Sequence, residues 1–464
     1  MKTENFWRIN MDKIALLQER KAKLEEAGKE IRARIAALTD EESFVELSAF
    51  SFSKNEFYGE DAEGEGVVTG FATIDGYPYY IVAQNFKVLS GGVTKANCDK
   101  IAKCLDAAEK NATPVIYLLN TLGVSLGEGV TVLEGLGKLL MRSTQLKGVV
   151  PQFVIVDGEV YGSAAMLAAV ADFTFFIENK SVLAVNSPLV LSAKAGKNLK
   201  KEEVGGAAAL DKTGIPAFVV SDFSEIKGTI SAISEILAKP FIDAELNDCI
   251  PALNDDSAWI MHTFENAVEI GASYESEVKT VLGRVGGIAV AAVVFDGGEK
   301  GVELTAAKFA KIKAFAELAA CYDLPFITFT DVMGIAPCMC QNNSRVMKEA
   351  AEYLNVLDTI SAAKIAVVYK KAIGLGYSLF AAKSTGFDYT LAFANAKVAL
   401  FDGVAGAKIE LASEDKADMD KLSEKYADEN ADPINAAKDG YIDAIIEPQF
   451  VRQYLIASLQ MLAK

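Results

Sequence analysis

The sequence predicts an α/β protein made of two copies of one parallel-sheet domain, and three observations carry that prediction. Apolar runs of strand length alternate with longer helical patterns along most of the chain. The same landmark residues recur in both halves at a nearly constant spacing. The chain has 464 residues, 51% hydrophobic and 23% charged, so it is globular in composition but too long for one ordinary core.

In chain order, residues 13–38 place apolar side chains at helical spacing among many charges, the pattern of an amphipathic helix, so residues 1–45 are read as an N-terminal helical segment. The runs YYIVAQ, TPVIYLLN and VVPQFVIV read as strands. KANCDKIAKCLDAAEK and VTVLEGLGKLLMRSTQL, between them, read as helices, giving parallel β-α units. The polar KAGKNLKKEEVGG reads as a surface loop. A Pro- and turn-rich stretch around residues 236–259 marks the boundary between a first domain, 46–240, and a second, 241–464.

ATPVIYLLNTLG (residues 112–123) lines up with DLPFITFTDVMG (residues 323–334). Pro114 pairs with Pro325, Asn120 with Asp331, Gly123 with Gly334, Lys100 with Lys311 and Ile101 with Ile312, all 211 residues apart; Gly162 pairs with Gly374 at a spacing of 212. General β-α likeness does not produce a fixed spacing with matched Gly and Pro, so the halves read as copies of one fold.

A net charge of −17 excludes attraction of nucleic acid or anionic lipid over the whole surface; a phosphorylated ligand needs a local basic pocket. Mean hydropathy is positive, yet runs such as GGIAVAAVVF fall short of the ~18 residues of a membrane helix and read as buried strands. The opening residues are charged and lack the apolar core of a secretory leader. The six cysteines (Cys98, Cys104, Cys249, Cys321, Cys338, Cys340) form no C-x-x-C and are expected to be reduced, in a cytoplasmic protein. The C-x-C of Cys338 and Cys340 lacks companion ligands, so no metal site is expected. The single histidine, His262, argues against a Ser-His-Asp triad or a His-rich metal centre and is read as structural or exposed.

Each copy holds two strand-to-helix junctions. The first copy has NTLGVSLGEG and VYGSAAM; the second has DVMGIAP and IGLGYSL. The first N–H groups of a helix have no acceptor within it, the helix dipole adds positive potential there, and glycine lets a ligand approach the backbone. Two such junctions can aim two donors at one oxygen, the arrangement that stabilises an oxyanion. The structural alternative is that small residues simply let a helix start close to the sheet.

At these residues the sequence resembles the carboxyltransferase family of biotin-dependent enzymes: acyl-CoA carboxylase β subunits, transcarboxylase, and the α subunits of sodium-pumping acyl-CoA decarboxylases. The resemblance runs in order through IRARIAALTDEESFVEL, GEGVVTGFATIDGYPYYIVAQNFKVLSGG, GVVPQFVIVDGEVYGSAAMLAAVADFTFFI, EEVGGAAALDKTGIPAFVV, DLPFITFTDVMGIAP and AAKDGYIDAIIEP. It implies two crotonase-like domains of β-β-α superhelical type, in a dimer or ring of dimers where the first domain of one subunit faces the second of another. It implies an acyl-CoA thioester at Gly162 and Ser163 with Gly123 and Val124 nearby, and carboxybiotin at Gly374 and Leu375 with Gly334 and Ile335 nearby. Gly162, Ser163, Gly374 and Leu375 would be the catalytic backbone positions. Biotin would come on a separate carrier protein, with no covalently bound cofactor on this chain; biotin carboxylase or membrane decarboxylase subunits are the further partners, through which membrane association would arise.

The family pattern is altered at Leu122 and Ser125, where a glycine and an arginine are usual, at Ser163, and at Leu375; CMCQNNSRVMKEA replaces a Gly-rich stretch. Two other readings stay open. One is a non-catalytic paralogue that dimerises with an active subunit. The other is a biotin-independent crotonase-type lyase, for which Glu128 is the candidate carboxylate. Lys194, Lys197, Lys200 and Lys201 are either a solvated loop or the cluster that meets the CoA phosphates.

Overall fold

The computed structural model describes residues 2–52, 54–55, 60–243, 258–411 and 419–462. The chain divides into two compact units, Met1–Ser231 and Ala232–Lys464. The turn-rich stretch read as the boundary lies partly outside the described residues, as does Cys249.

In the first unit the sheet runs through Val45–Leu47, Val67–Ile74, Tyr77–Gln84, Val115–Thr121, Gln152–Tyr161, Phe173–Ile177 and Phe218–Val220. The first two pairings are antiparallel and the rest parallel. In the second unit it runs through Glu265–Ile270, Val278–Val285, Ile288–Phe295, Phe326–Ile335, Lys364–Ile373, Tyr389–Phe393 and Ala444–Ile446, with the same sense at each step. The central strands read as continuous apolar runs because they are buried along nearly their whole length, on both faces.

The helices start and stop where local chemistry dictates. Thr94 caps Lys95–Lys110 by accepting from Asn97 N, and Thr305 caps Ala306–Cys321 by accepting from Lys308 N. Lys95–Lys110 buries Cys98, Ile101, Cys104, Leu105 and Ala108 against Val82, Tyr117 and Leu119 of the sheet. At the N-terminus, Lys2–Ala27 is followed by Lys29–Leu38, which turns Ile31, Ile35 and Leu38 inward.

The copies agree down to an unusual buried cation. Lys100 is buried and its Nζ donates to the Gly64 and Val67 carbonyls at 2.8 and 2.7 Å. Its counterpart Lys311 is also buried and donates to the carbonyls of Gly271, at 2.8 Å, and Tyr274. A lysine is seldom buried unless its head is bonded, and in both units chain carbonyls supply the bonds.

Two expectations are corrected. Most of KAGKNLKKEEVGG is helical: Pro188–Ala195 runs into it and Lys201–Gly205 forms another turn, so only the five residues from Gly196 to Lys200 are loop. Gly196, at φ +66°, ends the first helix as a left-handed residue. Cys338 and Cys340 are not reduced thiols but a disulfide, because the turn entering the short helix Met339–Asn342 brings their Cα atoms to 5.2 Å. His262 is exposed, just past the helix Ala258–Met261.

The parallel pairing slips at the same point in both units, between Leu119 and Thr121 and between Thr330 and Val332. Asn120 occupies the first slip and Asp331 the second. Asp331 is fully buried, and neither carboxyl oxygen has a hydrogen-bond partner of good geometry. Burial pushes its pKa up to about 6 against the partial opposition of Lys370, Lys371 and the Gly297 N–H. Folding raises this pKa, so its contribution to stability is complete below the ordinary value of 3.8 and is lost as pH rises through about 6. Asp331→Asn, the amide present in the first copy, should therefore stabilise the fold by on the order of 3 kcal/mol near neutral pH and change little near pH 4, read by denaturant unfolding at both pH values. An equal effect at both would show that burial of the carboxylate is not the cause.

Candidate active site: paired backbone junctions at the strand ends

In the first unit, Val115–Thr121 ends in Leu122-Gly123-Val124-Ser125, and Gln152–Tyr161 ends in the helical turn Gly162–Ala165. Both turns need glycine: φ is +118° at Gly123 and +75° at Gly162. They lie side by side, since a Cβ on Gly162 would stand 3.9 Å from Gly123 Cα and one on Gly123 would stand 3.6 Å from Tyr161 O. The structure thus brings together the four residues singled out in this half.

The hydrogen bonds decide which N–H groups are spent. Gly123 N donates to Thr121 Oγ1 at 3.0 Å, Val93 N to Gly123 O at 2.9 Å, and Ser125 N to Val93 O at 2.8 Å. Val124 N, between them, has no acceptor among the described residues. Gly162 and Ser163 open a helical turn and so have no acceptor inside it. Val124 and Ser163 are each only half-buried, within a ligand's reach.

The second unit repeats this with a tighter start. Ala336 N donates to Leu304 O at 3.0 Å, matching the bond from Ser125 to Val93, which makes Ile335 the counterpart of Val124. Gly334 and Ile335 remain in strand pairing with Glu303 and Leu304, so here the strand runs through the junction. A Cβ on Gly334 would stand 3.5 Å from Ile373 O, so its turn adjoins Gly374. Gly374, φ +53°, is the N-cap of the helix Leu375–Phe380, but its N–H donates to Ala399 O at 2.9 Å. Gly374 therefore shapes the turn, and the first N–H left over belongs to Leu375. The two explanations of the small residues divide between neighbours. A Cβ on Gly376 would meet Val332 Cγ1 at 2.7 Å, so Gly376 is there for packing. Leu375 is 47% exposed.

Glu128 is engaged at a helix terminus. Its Oε2 accepts from Lys95 N at 2.7 Å, capping Lys95–Lys110; Gln341 Oε1 does the same for Ala306 N at 3.1 Å in the second unit. Of the exposed Lys194, Lys197, Lys200 and Lys201, the last is paired with Glu159 at 2.8 Å. Ser125, where the resembled family carries arginine, is buried.

Sequence reasoning passed over a cavity of about 320 Å³ beside the second junction, lined by Met333, Lys371, Ile373, Lys397, Asp402 and Glu424. Burial lowers the pKa of Lys371, whose Nζ donates to Glu299 O at 2.6 Å. Lys371 and Ile373 lie in KKAIGLG, but nothing in the sequence brings Lys397 or Glu424 to them. Among the described residues no group of three or more His, Cys, Asp or Glu could hold a metal ion, and no helix is long and apolar enough to cross a membrane.

Comparison with known proteins agrees with this architecture. The chain superimposes on the crystal structure of transcarboxylase 12S with a TM-score of 0.90 over 98% of this chain and 96% of that one, at 24% identity, so both units have the crotonase-like fold. It is 28% identical to the methylmalonyl-CoA decarboxylase α subunit of Veillonella parvula, over 97% of this chain and 96% of that protein. It is also 28% identical to the propionyl-CoA carboxylase carboxyltransferase subunit of Haloferax mediterranei, over 93% of this chain and 90% of that protein. The carboxyl transferase domain model matches residues 23–464, and the chain belongs to that family.

Proposed function

We propose that this chain moves a carboxyl group between carrier-held biotin and a short-chain acyl-CoA, the first unit receiving the thioester and the second the biotin. One observation carries the reading: the same pair of backbone junctions, with positive-φ glycines that leave helix-start N–H groups without an acceptor, is built twice. The reaction develops two anions, the enolate oxygen of the thioester and the ureido oxygen of biotin, and each needs donors already in position. Val124 and Ser163 N–H would serve the enolate, and Leu375 N–H, with Ile335 beside it, the ureido oxygen. Binding both partners supplies the rest by proximity. The carboxyl carbon leaves N1 of biotin and bonds to the carbon next to the thioester, or the reverse; partner subunits set the direction.

The altered positions fit this chemistry. A backbone N–H survives exchange of glycine for Ser163 or Leu375, and Leu375 is about half exposed. The carboxylate that a biotin-independent lyase would use, Glu128, is engaged by the Lys95 N–H at a helix terminus, which favours the carboxyl-transfer reading over that one. Leu122, Leu126 and Val130 near the first junction are exposed, as are Leu375 and Leu400 in the second unit. Apolar groups around a site that must exclude water suit an assembly, a dimer or ring of dimers, working with a biotin carrier protein. The transcarboxylase 12S structure is described as a hexamer.

Leu375 is the first residue of its helix, where proline fits the backbone and lacks only the N–H. Leu375→Pro should therefore cut carboxyl exchange with free biotin by about 100- to 1000-fold, with acyl-CoA affinity by calorimetry unchanged. Leu375→Ala should keep or raise the rate. A folded Leu375→Pro variant with full activity would reduce this junction to a packing feature.

A further inference from the structure

We infer that Cys338 and Cys340 form a redox-active site, an accessible disulfide that a dithiol reductant opens, and that its state controls the junction at Gly334 and Ile335. The control rests on the function proposed above; the redox site does not.

The bond spans one intervening residue, Met339, which is 72% exposed; Cys340 is exposed and Cys338 half-buried. A crosslink this short removes little freedom from the unfolded chain, so stability does not explain it. Exposed disulfides of this kind are the ones that exchange readily. The crosslink instead fixes a local relay. Cys338 N donates to Ala336 O at 2.8 Å, and Ala336 N to Leu304 O at 3.0 Å, one residue after Ile335. On the other side, Gln341 N donates to Cys338 O at 3.1 Å and approaches Cys338 Sγ at 3.3 Å. Gln341 Oε1 in turn accepts from Ala306 N, the first N–H of Ala306–Cys321. Opening the ring frees the segment that joins the junction to this helix terminus.

The step balances. A thiolate of the reductant attacks the exposed Cys340 sulfur, the S–S bond breaks and Cys338 leaves as thiolate. The second thiol of the reductant then displaces Cys340. Two protons and two electrons reach the protein, giving two thiols, and the reductant becomes a disulfide. Cys98 and Cys104 are poor competitors, being buried with thiols pushed up to about 12 by burial. Cys321 is an exposed thiol that should be alkylated in either state.

The full chain, purified without reductant, is alkylated with iodoacetamide before and after dithiothreitol, and the peptide holding both cysteines is weighed. Two alkyl groups should appear only after reduction. Carboxyl exchange with free biotin should fall several-fold on reduction and recover on reoxidation, and amide exchange over residues 334–342 should rise. Cys338→Ser/Cys340→Ser should show neither response. Two thiols before reduction that no oxidant closes would overturn the redox site. Amide exchange and turnover unchanged between the two states would overturn its control of the junction. A protein with no exchange activity in either state would sink the proposed function, while alkylation and amide exchange would still decide the redox inference.

Discussion

A parallel strand that ends inside a fold leaves backbone N–H groups to be placed, and the site depends on where they go. In the first unit, Thr121 Oγ1 takes the Gly123 N–H and Val93 O takes that of Ser125, leaving Val124 between them. In the second, Ala399 O takes the Gly374 N–H and leaves Leu375. Val124 is half-buried and Leu375 is 47% exposed, so each of these N–H groups is open to water or to a ligand in place of a protein acceptor. Positive φ at the four glycines makes this possible, because each turn would strain a residue with a side chain.

The copies have diverged unevenly, and the pattern separates scaffold from site. Lys100 and Lys311 hold the same carbonyl positions, and Thr94 and Thr305 cap the same helix. Glu128 and Gln341 differ in charge but cap the same N-terminus. Around the junctions the residues differ: Asn120 against Asp331, Thr121 against Val332, Ser163 against Leu375. The buried lysines and the threonine caps have been kept, while residues beside the donors, Thr121 with its bond to Gly123 N included, have changed, as expected if two different anions are received.

Much of this was legible in the sequence because it is written in local pattern. Strand-length apolar runs and 3.6-residue periodicity placed the central elements, and matched Pro and Gly at fixed spacing showed the duplication before any contact was known. What could not be read depends on residues distant in sequence. That Gly374 shapes the turn while Leu375 keeps the free donor is set by Ala399; that Glu128 caps a helix is set by Lys95. The orphan carboxylate of Asp331 looks like an ordinary polar residue until the strands on either side bury it. The disulfide was missed because C-x-C has no fixed geometry in sequence, and the turn ahead of Met339–Asn342 supplies it.

The central claim is that the two copies serve different ligands through equivalent backbone donors. Residue-resolved amide exchange of the full chain, with a short-chain acyl-CoA or with biotin, tests it directly. The account predicts that acyl-CoA protects Val124 and Ser163 and leaves Leu375 unchanged, and that biotin does the reverse. Protection of the same amides by both ligands, or of none by either, would contradict it.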